Sequence, residues 1–374
     1  MSKARELANL GNAYSDGALS NRNKLINGAM VIDQRNGGAS ITPTVSGTYS
    51  VDRWTTILSV ASKFSVQQNA GSVTPPSGFS NYIGVTSLSA YTVGATETFA
   101  LSQRVEGFNA ADLGWGTADA KDVTLSFWVR SSLTGTFGGS FRNSANNRSY
   151  PFSYTINSAN TWEYKTIIIS GDTAGTWLTN NGVGVEVMLG LGSGSTRSGT
   201  AGSWAGANYT NATGATSVVG TNGATFYITG VQLEVGDTAT PFEHRSYGDE
   251  LARCERYLRR LNVGGSAYIG AVNYGSFMAQ IKFPEMRATP SLLPTGMTGY
   301  GSGSTEYRVY ILNSGGGGFL SAPTTPSLFF YYGTNNSGRI EAYVAAGWYA
   351  SGIDTAGAAL DIGAGVKLLL DAEL

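Results

Sequence analysis

The stretch FYITGVQLEVGDTATPFEHRSYGDELARCERYLRRL, residues 226–261, contains the change of periodicity that decides the fold. Its first third alternates apolar and polar residues as a strand does, and its last third places apolar residues at helical spacing. The alternation changes phase at Gly230–Val231, which predicts a β-bulge. Strand patterns occur on both sides of this stretch, so we expect it to join two β-rich units.

The last third of the stretch predicts a linking helix within residues 244–263. One helical face would carry apolar residues that recur at steps of three and four: Tyr247, Leu251, Cys254, Leu258 and Leu261. Ser246 and Asp249 resemble a capping box at its start, and the pair Gly264–Gly265 would end it. His244 lies next to this start, where we expect it to make a structural hydrogen bond.

The composition favours strands over helices. The 374 residues include 51 glycines, and only 13% of them are charged. Glycine, serine, threonine and asparagine are poor helix formers, whereas they suit the turns between strands. The hydrophobic share of 41% is enough for a core. We therefore expect an all-β, mainly antiparallel chain apart from the linking helix.

Residues 24–243 predict an antiparallel β-sandwich or jelly roll. The clearest strand is VTLSFWVRS, residues 123–131, in which Val123, Leu125, Phe127 and Val129 share one face. The same alternation recurs in TFALSQRVEGF, WEYKTIIIS and GVEVMLGLG, with no helical period between them. In WEYKTIIIS one face carries the mostly apolar side chains: Trp162, Tyr164, Thr166 and Ile168.

Three further segments of the chain carry structural predictions. Residues 264–374 show more strand patterns and predict a second, smaller C-terminal β-domain. Residues 190–223 have low complexity and almost no charge, which predicts a long loop without regular structure. In residues 1–23, Ala4, Leu7 and Leu10 could line one side of a short helix, and we interpret this segment as an attachment or oligomerisation peptide.

Charge and residue counts exclude several classes of function. The net charge is −1, so no basic field favours a nucleic-acid partner. A single cysteine and a single histidine exclude a disulfide framework and a multi-cysteine or multi-histidine metal site. No signal peptide or membrane-spanning run appears, so we expect synthesis and assembly in cytoplasm without membrane insertion. We expect no cofactor; a structural Ca²⁺ stays open, although scattered acids lack EF-hand spacing.

Several stretches resemble tail-fibre and related appendage proteins of tailed bacteriophages, particularly marine ones. The longest is FYITGVQLEVGDTATPFEHRSYGDELARCERY. The others, spread over nearly the whole chain, are SKARELANLGNAYSDGALSNRN, LINGAMVIDQRNGG, SVDRWTT, LSQRVEGF, VTLSFWVRS, WEYKTIIISGDTAGTW, KFPEMRATPS and the terminal DAEL.

The resemblance implies a virion structural protein with a sandwich like a carbohydrate-binding module. It implies a homotrimeric fibre on tail or capsid that binds a host surface glycan and contacts other virion proteins through its N-terminal peptide. Fibres of this kind often begin with a long attachment domain and a shaft, whereas only residues 1–23 precede the predicted sandwich here. We therefore expect a free-standing fibre head or a short fibre.

Aromatic residues among glycines and small polar residues are the candidates for glycan contact. A sugar ring offers an apolar face for stacking and hydroxyl groups for hydrogen bonds, and packing remains the alternative role for each aromatic. The candidates are Trp115, Trp204, Tyr209, Tyr331, Tyr332, Trp348 and Tyr349. The last four make the C-terminal domain the preferred distal tip.

Two rival functions remain open at the level of sequence. The chain could be a capsid-decorating, head-fibre or connector protein without a receptor role. It could also be a polysaccharide-degrading tail spike, which would need two carboxylates facing each other across a cleft. No motif marks a nucleophile, a phosphate loop or a zinc site, so we expect a binding protein and not an enzyme.

Overall fold

The computed structural model describes residue 3, residues 21–261 and, beyond them, the C-terminal strands with residues 285–288 and 372–373. The chain divides into two compact units, one of Met1–Cys254 (with Leu374) and one of Glu255–Glu373. In the described part, no helix has the length and apolar character needed to cross a membrane.

The first unit is a sandwich of two antiparallel sheets. One sheet has six strands in the order β1-β2-β5-β10-β7-β8. They are β1 (Thr48–Tyr49), β2 (Thr55–Leu58), β5 (Thr98–Glu106), β10 (Val183–Ser193), β7 (Gly135–Arg142) and β8 (Ser149–Ile156). The other has five strands in the order β3-β4-β13-β6-β9. They are β3 (Phe64–Gln68), β4 (Ile83–Ser87), β13 (Thr225–Val235), β6 (Val123–Ser131) and β9 (Glu163–Ile169). The all-β sandwich prediction is confirmed.

The core lies between the two sheets and follows the alternation of the strands. On β6, Val123, Leu125, Phe127 and Val129 are fully buried and face the six-stranded sheet. Leu189 of β10 packs into the same core from the other side. Successive side chains of a strand point to opposite faces, so Trp128 and Arg130 lie on the outer face of the five-stranded sheet.

Strand β13 contains the predicted bulge. Its register with β6 shifts between Thr229 and Gln232, and Gly230 has φ +61°. The extra residue brings the backbone of Val231 to the start of the sandwich, where its N–H donates to the Gly28 carbonyl at 2.9 Å. The Leu233 carbonyl accepts from Lys24 N at 2.8 Å. The bulge therefore anchors the segment by which the chain enters the sandwich.

Two α-helices occur in residues 21–261, the one-turn α1 (Gly107–Ala110) and α2 (Tyr247–Glu255). At the start of α2, the Ser246 hydroxyl accepts from Asp249 N at 3.2 Å and donates to the Asp249 carboxylate at 2.7 Å. The predicted cap at Ser246 is confirmed, although the Asp249 carboxylate bonds the hydroxyl and not a backbone N–H.

The predicted extent of the linking helix was wrong. Helix α2 ends at Glu255, and Leu258–Leu261 form strand β14, which pairs antiparallel with β23 (Leu368–Asp371). Pairing with a strand more than a hundred residues away in sequence overrides the helical spacing of Leu258 and Leu261, because helical propensity is a weak preference.

The segment 190–223 was wrongly predicted to be a loop without regular structure. It contains β11 (Ser198–Gly199) and β12 (Asn211–Ala212), which pair in parallel, and Ala205 forms a β-bridge with Ser149. The Asn211 side chain covers Gly190 of β10 so closely that an added Cβ would lie 2.3 Å from its Nδ2 atom. The segment thus covers part of the outer face of the six-stranded sheet.

The second unit consists of small antiparallel sheets. Their orders are β14-β23-β18, β15-β22-β19 and β16-β17-β21-β20. Besides β14 and β23 the strands are β15 (Ala267–Ile269), β16 (Ala271–Val272), β17 (Ser276–Lys282), β18 (Ser291–Leu293), β19 (Tyr307–Ile311), β20 (Ser327–Thr334), β21 (Ser337–Tyr343) and β22 (Ala358–Ile362). Arg287 ties the end of the chain to this unit by donating from Nε to the Ala372 carbonyl at 2.8 Å.

Candidate functional site

Trp115, one of the predicted glycan contacts, is a core residue. It is 6% exposed and donates from Nε1 to the Lys121 carbonyl at 2.8 Å. Its ring meets Trp177 edge-on at 4.8 Å between centroids. A glycine-rich surrounding sequence suggested an open loop, but Trp115 fills the end of the sandwich and leaves no face for a ligand.

Trp204 and Tyr209 hold the segment 190–223 on the sandwich. Trp204 is half-buried, donates from Nε1 to the Ser170 carbonyl at 2.8 Å and contacts the Tyr150 ring at 5.1 Å. The Tyr209 ring packs over Gly199, where an added Cβ would approach it to 2.3 Å. Both aromatic side chains therefore pack against other residues of the sandwich unit.

The side chains of the other predicted site residues lie outside the described part of the chain. Tyr331 and Tyr332 lie on strand β20, of which the backbone is described. Trp348, Tyr349 and the N-terminal residues Ala4, Leu7 and Leu10 lie outside the described residues. Their roles remain predictions.

An open aromatic surface occurs on the outer face of the five-stranded sheet. Trp128 of β6 pairs with Tyr164 of β9, and their ring centroids are 5.4 Å apart. Tyr164 is 43% exposed, and further along the same face of β9 come the exposed Thr166 and Ile168, the latter 50% exposed. We call Trp128, Tyr164, Thr166 and Ile168 the outer strip.

The sequence predicted which residues of β9 share a face, but not whether that face meets the core or the solvent. Tyr164, Thr166 and Ile168 point to solvent, whereas Ile169 on the opposite face of the strand is fully buried. Both faces of WEYKTIIIS carry large apolar residues, so alternation alone does not show which one meets the core. The pairing with β6 decides it, because Ile167 and Ile169 lie opposite Leu125 and Val123, whose side chains face the core.

Trp128 is the one tryptophan of the described part whose indole N–H donates no hydrogen bond to a protein oxygen. Five of them donate this group to a protein oxygen: Trp54 to Asn27, Trp115 to Lys121, Trp162 to Thr74, Trp177 to Asp172 and Ala174, and Trp204 to Ser170. Half-buried Trp128 makes no such bond within the described residues, and its Nε1 is not among the buried unpartnered atoms. Its N–H is therefore open to solvent and available to a ligand.

The rest of the outer face is covered by neighbouring segments. The Thr124 hydroxyl donates to the Gly236 carbonyl at 2.7 Å, and the Gln232 side chain contacts Thr240. Phe79 packs against Gly230, at 2.6 Å from the position of an added Cβ. These contacts bury the face over β13 and over the Thr124 end of β6, and they leave the face at Trp128 of β6 and over β9 open.

Arg130 and an aromatic group border the outer strip. Arg130 donates from Nε to the Asn160 carbonyl at 2.9 Å, and its guanidinium lies 5.5 Å from the centre of the Tyr227 ring. Tyr82 contacts Tyr227 at 5.2 Å and Trp162 at 5.5 Å. Burial raises the pKa of the Tyr82 hydroxyl, so this group stays neutral and acts as a hydrogen-bonding group.

Several carboxylates of the described part are engaged in structural contacts. Glu186, buried on β10, lies between Arg142 at 2.5 Å and Arg104 at 3.1 Å. Burial acts to raise the pKa of Glu186, but the two arginines hold it below its ordinary value. Among the residues described, no three His, Cys, Asp or Glu side chains are grouped to hold a metal ion.

His244 and Cys254 take structural positions. His244 is exposed, and its ring contacts Phe242 at 4.9 Å and Phe79 at 5.3 Å. Cys254 is fully buried on helix α2. Neither residue has a neighbouring nucleophile or acid arranged as in a catalytic triad within the part of the chain that is described.

No protein-family model matches the chain, and no curated protein matches it either. Among solved structures, the enzymatically active domain of tailspike protein 4 of bacteriophage CBA120 is 12% identical with a TM-score of 0.32. The match covers 57% of this chain and only 22% of that one, so this chain spans less than a quarter of the tailspike chain.

Two carbohydrate-binding modules are also similar. The family 11 module from Clostridium thermocellum, in complex with a mixed-linked tetrasaccharide, is 13% identical with a TM-score of 0.26, over 56% of this chain and 100% of that one. TmCBM61, in complex with β-1,4-galactotriose, is 11% identical with a TM-score of 0.26, over 49% of this chain and 88% of that one. At TM-scores of 0.26 to 0.32 these likenesses carry no argument about what this chain binds.

Proposed function

We propose that this chain is a bacteriophage virion fibre protein that binds a host cell-surface glycan through the outer strip. The phage assignment rests on the stretches of sequence quoted above. The glycan assignment rests on one observation above all, the open ring and unpartnered indole N–H of Trp128 beside the exposed ring of Tyr164.

The chemistry of the outer strip suits a sugar. The rings of Trp128 and Tyr164 offer apolar faces to the C–H groups of a pyranose, and Ile168 extends this apolar surface. The Tyr164 and Thr166 hydroxyls make no hydrogen bond within the described residues, so they can bond sugar hydroxyls at little cost. An aromatic residue with a polar group at its tip is the usual means of binding such amphipathic ligands.

Binding without cleavage is part of the proposal. A glycosidase general acid needs a raised pKa, so that it is protonated near neutral pH. Three carboxyl groups of the described part have a pKa held below the ordinary value, namely Glu163, Glu186 and Glu243. Shortening of capsule or lipopolysaccharide chains by the purified protein would overturn this part and favour a tail spike.

The trimeric state and the virion attachment come from the sequence resemblance. The N-terminal peptide, with Ala4, Leu7 and Leu10, would contact other virion proteins, and the trimer would present three outer strips. Light scattering should give about three times the 39.1 kDa mass of one chain. A monomer at micromolar concentration contradicts the trimer, and antibody label confined to the capsid shell of virions contradicts a tail fibre.

The glycan site is tested by substitution in the outer strip. Trp128→Ala and Tyr164→Ala should each weaken binding to bacterial lipopolysaccharides and capsular polysaccharides at least about tenfold, equivalent to about 1.4 kcal/mol. Glycan arrays or calorimetry measure the change. Tyr247→Ala removes a tyrosine that is more exposed than Tyr164, 64% against 43%, from helix α2, and should leave binding unchanged.

The competing location is the C-terminal tip. The double variant Trp348→Ala/Tyr349→Ala removes the sequence-predicted pair from that domain. Loss of binding in this variant, with binding retained in Trp128→Ala, would move the site to the second unit. Loss in Trp128→Ala alone supports the outer strip.

A further inference from the structure

Arg130 places a positive charge beside the outer strip. Residues 128 and 130 of β6 lie on the same face and are about 6.8 Å apart along the strand. Since Trp128 pairs with Tyr164, continuing the register places Arg130 opposite Trp162. A ligand stacked on Trp128 would therefore come within reach of the guanidinium group.

The guanidinium group of Arg130 has no carboxylate partner in the described part of the chain. Its contacts are the Nε bond to the Asn160 carbonyl and the Tyr227 ring. Arg142, Arg148 and Arg245, by contrast, each form an ion pair with a carboxylate at 3.0 Å or less. Half-buried Arg130 has no nitrogen among the buried unpartnered atoms, so its terminal nitrogens reach solvent.

Glu163 and Glu234, the acidic residues of the two strands that flank β6, have partners of their own. Glu163 of β9 accepts from Lys165 at 2.6 Å and from Ser158 N at 2.8 Å. Glu234, on the outer face of β13, accepts from the Thr240 hydroxyl at 2.6 Å. The charge of Arg130 is therefore not neutralised by either group.

We infer that the outer strip takes an acidic glycan, whose sugar ring stacks on Trp128 and Tyr164 while its carboxylate or sulfate bonds the terminal nitrogens of Arg130. A guanidinium group binds such oxyanions through two parallel hydrogen bonds. The Nε bond to Asn160 and the Tyr227 ring hold the group in place beforehand, so little side-chain freedom is lost on binding. This inference names the ligand class of the proposed function and rests on it.

The test compares polymers that share a backbone and differ in charge. The probes are polygalacturonate against its methyl ester, and dextran sulfate against dextran, each titrated calorimetrically into the full-length protein. We expect each acidic polymer to bind at least tenfold more tightly than its neutral counterpart, and the difference between the two pairs identifies the preferred oxyanion. Raising the salt concentration should weaken this binding, since exposed charges are screened.

Variants of Arg130 show whether this residue provides the charge. Arg130→Gln should remove the preference for the acidic polymer, and Arg130→Lys should keep part of it because the charge remains. Arg197→Gln is the matched control: Arg197 is also half-buried, donates from Nε to a backbone carbonyl, that of Thr96 at 3.2 Å, and lies on a different segment. A circular dichroism spectrum confirms that each variant is folded.

The outcomes separate this inference from the proposed function. Equal binding of acidic and neutral polymers, lost in Trp128→Ala, overturns the acidic ligand and leaves the glycan site standing. The inference of an acidic ligand is also overturned if Arg130→Gln and Arg197→Gln reduce the preference for the acidic polymer equally. It is overturned as well if the protein binds neither acidic polymer. Acidic-polymer binding that Trp128→Ala leaves unchanged overturns the outer strip itself.

Discussion

Two buried tyrosines of the sandwich differ in what their hydroxyl groups contact. The Tyr82 hydroxyl accepts from Val73 N at 2.8 Å and donates to the Ala70 carbonyl at 2.5 Å. The Tyr154 hydroxyl is buried among aromatic rings and has no hydrogen-bond partner among the described residues. Burial raises the pKa of both groups. An unsatisfied buried hydroxyl lowers stability, whereas a satisfied one is costly to remove.

Tyr154→Phe should therefore leave the free energy of unfolding unchanged or raise it by up to about 1 kcal/mol. Tyr82→Phe, the matched control, should lower it by about 1–3 kcal/mol, because Val73 N and the Ala70 carbonyl lose their partner. Urea unfolding followed by fluorescence measures both. A destabilised Tyr154→Phe variant would show that its hydroxyl has a partner in solution.

Trp128 shows which property of a single residue distinguishes a candidate binding residue from a packing residue. It lies within a strand, where aromatic residues commonly pack in the core, and the sequence-based candidates were chosen from glycine-rich loops instead. The distinguishing feature is the unpartnered indole N–H, and this depends on which carbonyls the fold brings near each tryptophan.

At the scale of elements, the bulge of β13 depends on a glycine. Gly230 has φ +61°, and an added Cβ would lie 2.6 Å from the Phe79 ring. Gly223 has a similar φ of +74° but nothing within 4 Å of an added Cβ. The two glycines therefore separate the conformational cost of a side chain from the steric cost.

Gly223→Ala should lower the free energy of unfolding by about 1 kcal/mol, the cost of an unfavourable left-handed backbone. Gly230→Ala should lower it by about 1–3 kcal/mol more, because the Phe79 ring must also move. Chemical denaturation of both variants gives the difference. Equal losses would mean that Phe79 moves away freely.

The turn between β8 and β9, where the chain crosses from one sheet to the other, depends on Glu163. Its carboxylate accepts from Asn157 N and Ser158 N, both at 2.8 Å, and from Lys165 at 2.6 Å. Burial acts to raise the pKa of Glu163, but these contacts prevail and hold it at about 2, against an ordinary 4.5. The charged form is therefore the one that stabilises the fold.

Because the folded pKa is depressed, this stabilisation is fully present above pH 4.5 and is lost as the pH falls toward 2. Glu163→Gln should be less stable than the native protein at pH 7, and the difference should shrink between pH 4.5 and 2. Urea unfolding at a series of pH values measures it. A difference that is constant with pH would contradict the depressed pKa.

At the scale of the whole sandwich, the chain enters and leaves at the same place. Glu243, just after the last strand, accepts from Asn21 N at 2.6 Å and Asn23 N at 2.9 Å. Arg245 donates to Glu243 at 3.0 Å and to the Leu25 carbonyl at 3.1 Å. Burial opposes ionisation of Glu243, yet the Asn23 N–H and Arg245 hold its pKa below the ordinary value.

Glu243→Gln should loosen this junction without unfolding the core, because the amide that replaces the carboxylate lacks the charge that strengthens these bonds. Hydrogen exchange should become faster at the amides of Asn21 and Asn23, while the amides of β6 in the core serve as the internal control. Faster exchange throughout β6 would mean that the junction supports the entire sandwich.

The sequence alone determined the local structure of the chain. Alternation identified β6 and the other long strands, the phase change at Gly230 identified the bulge, and Ser246 with Asp249 identified the start of α2. These features depend on residues that are close together in sequence, and local propensity and spacing describe such interactions well.

The tertiary structure alone decided where the helix ends, how residues 190–223 fold, and which aromatics are open to solvent. Leu258 joins a strand because β23 pairs with it, and Trp115 is buried because Trp177 and Trp204 close over it. Trp128 stays open because the segments that cover Thr124 and Gly230 on the same face stop short of it. Each outcome depends on a segment distant in sequence, whose position no local pattern contains.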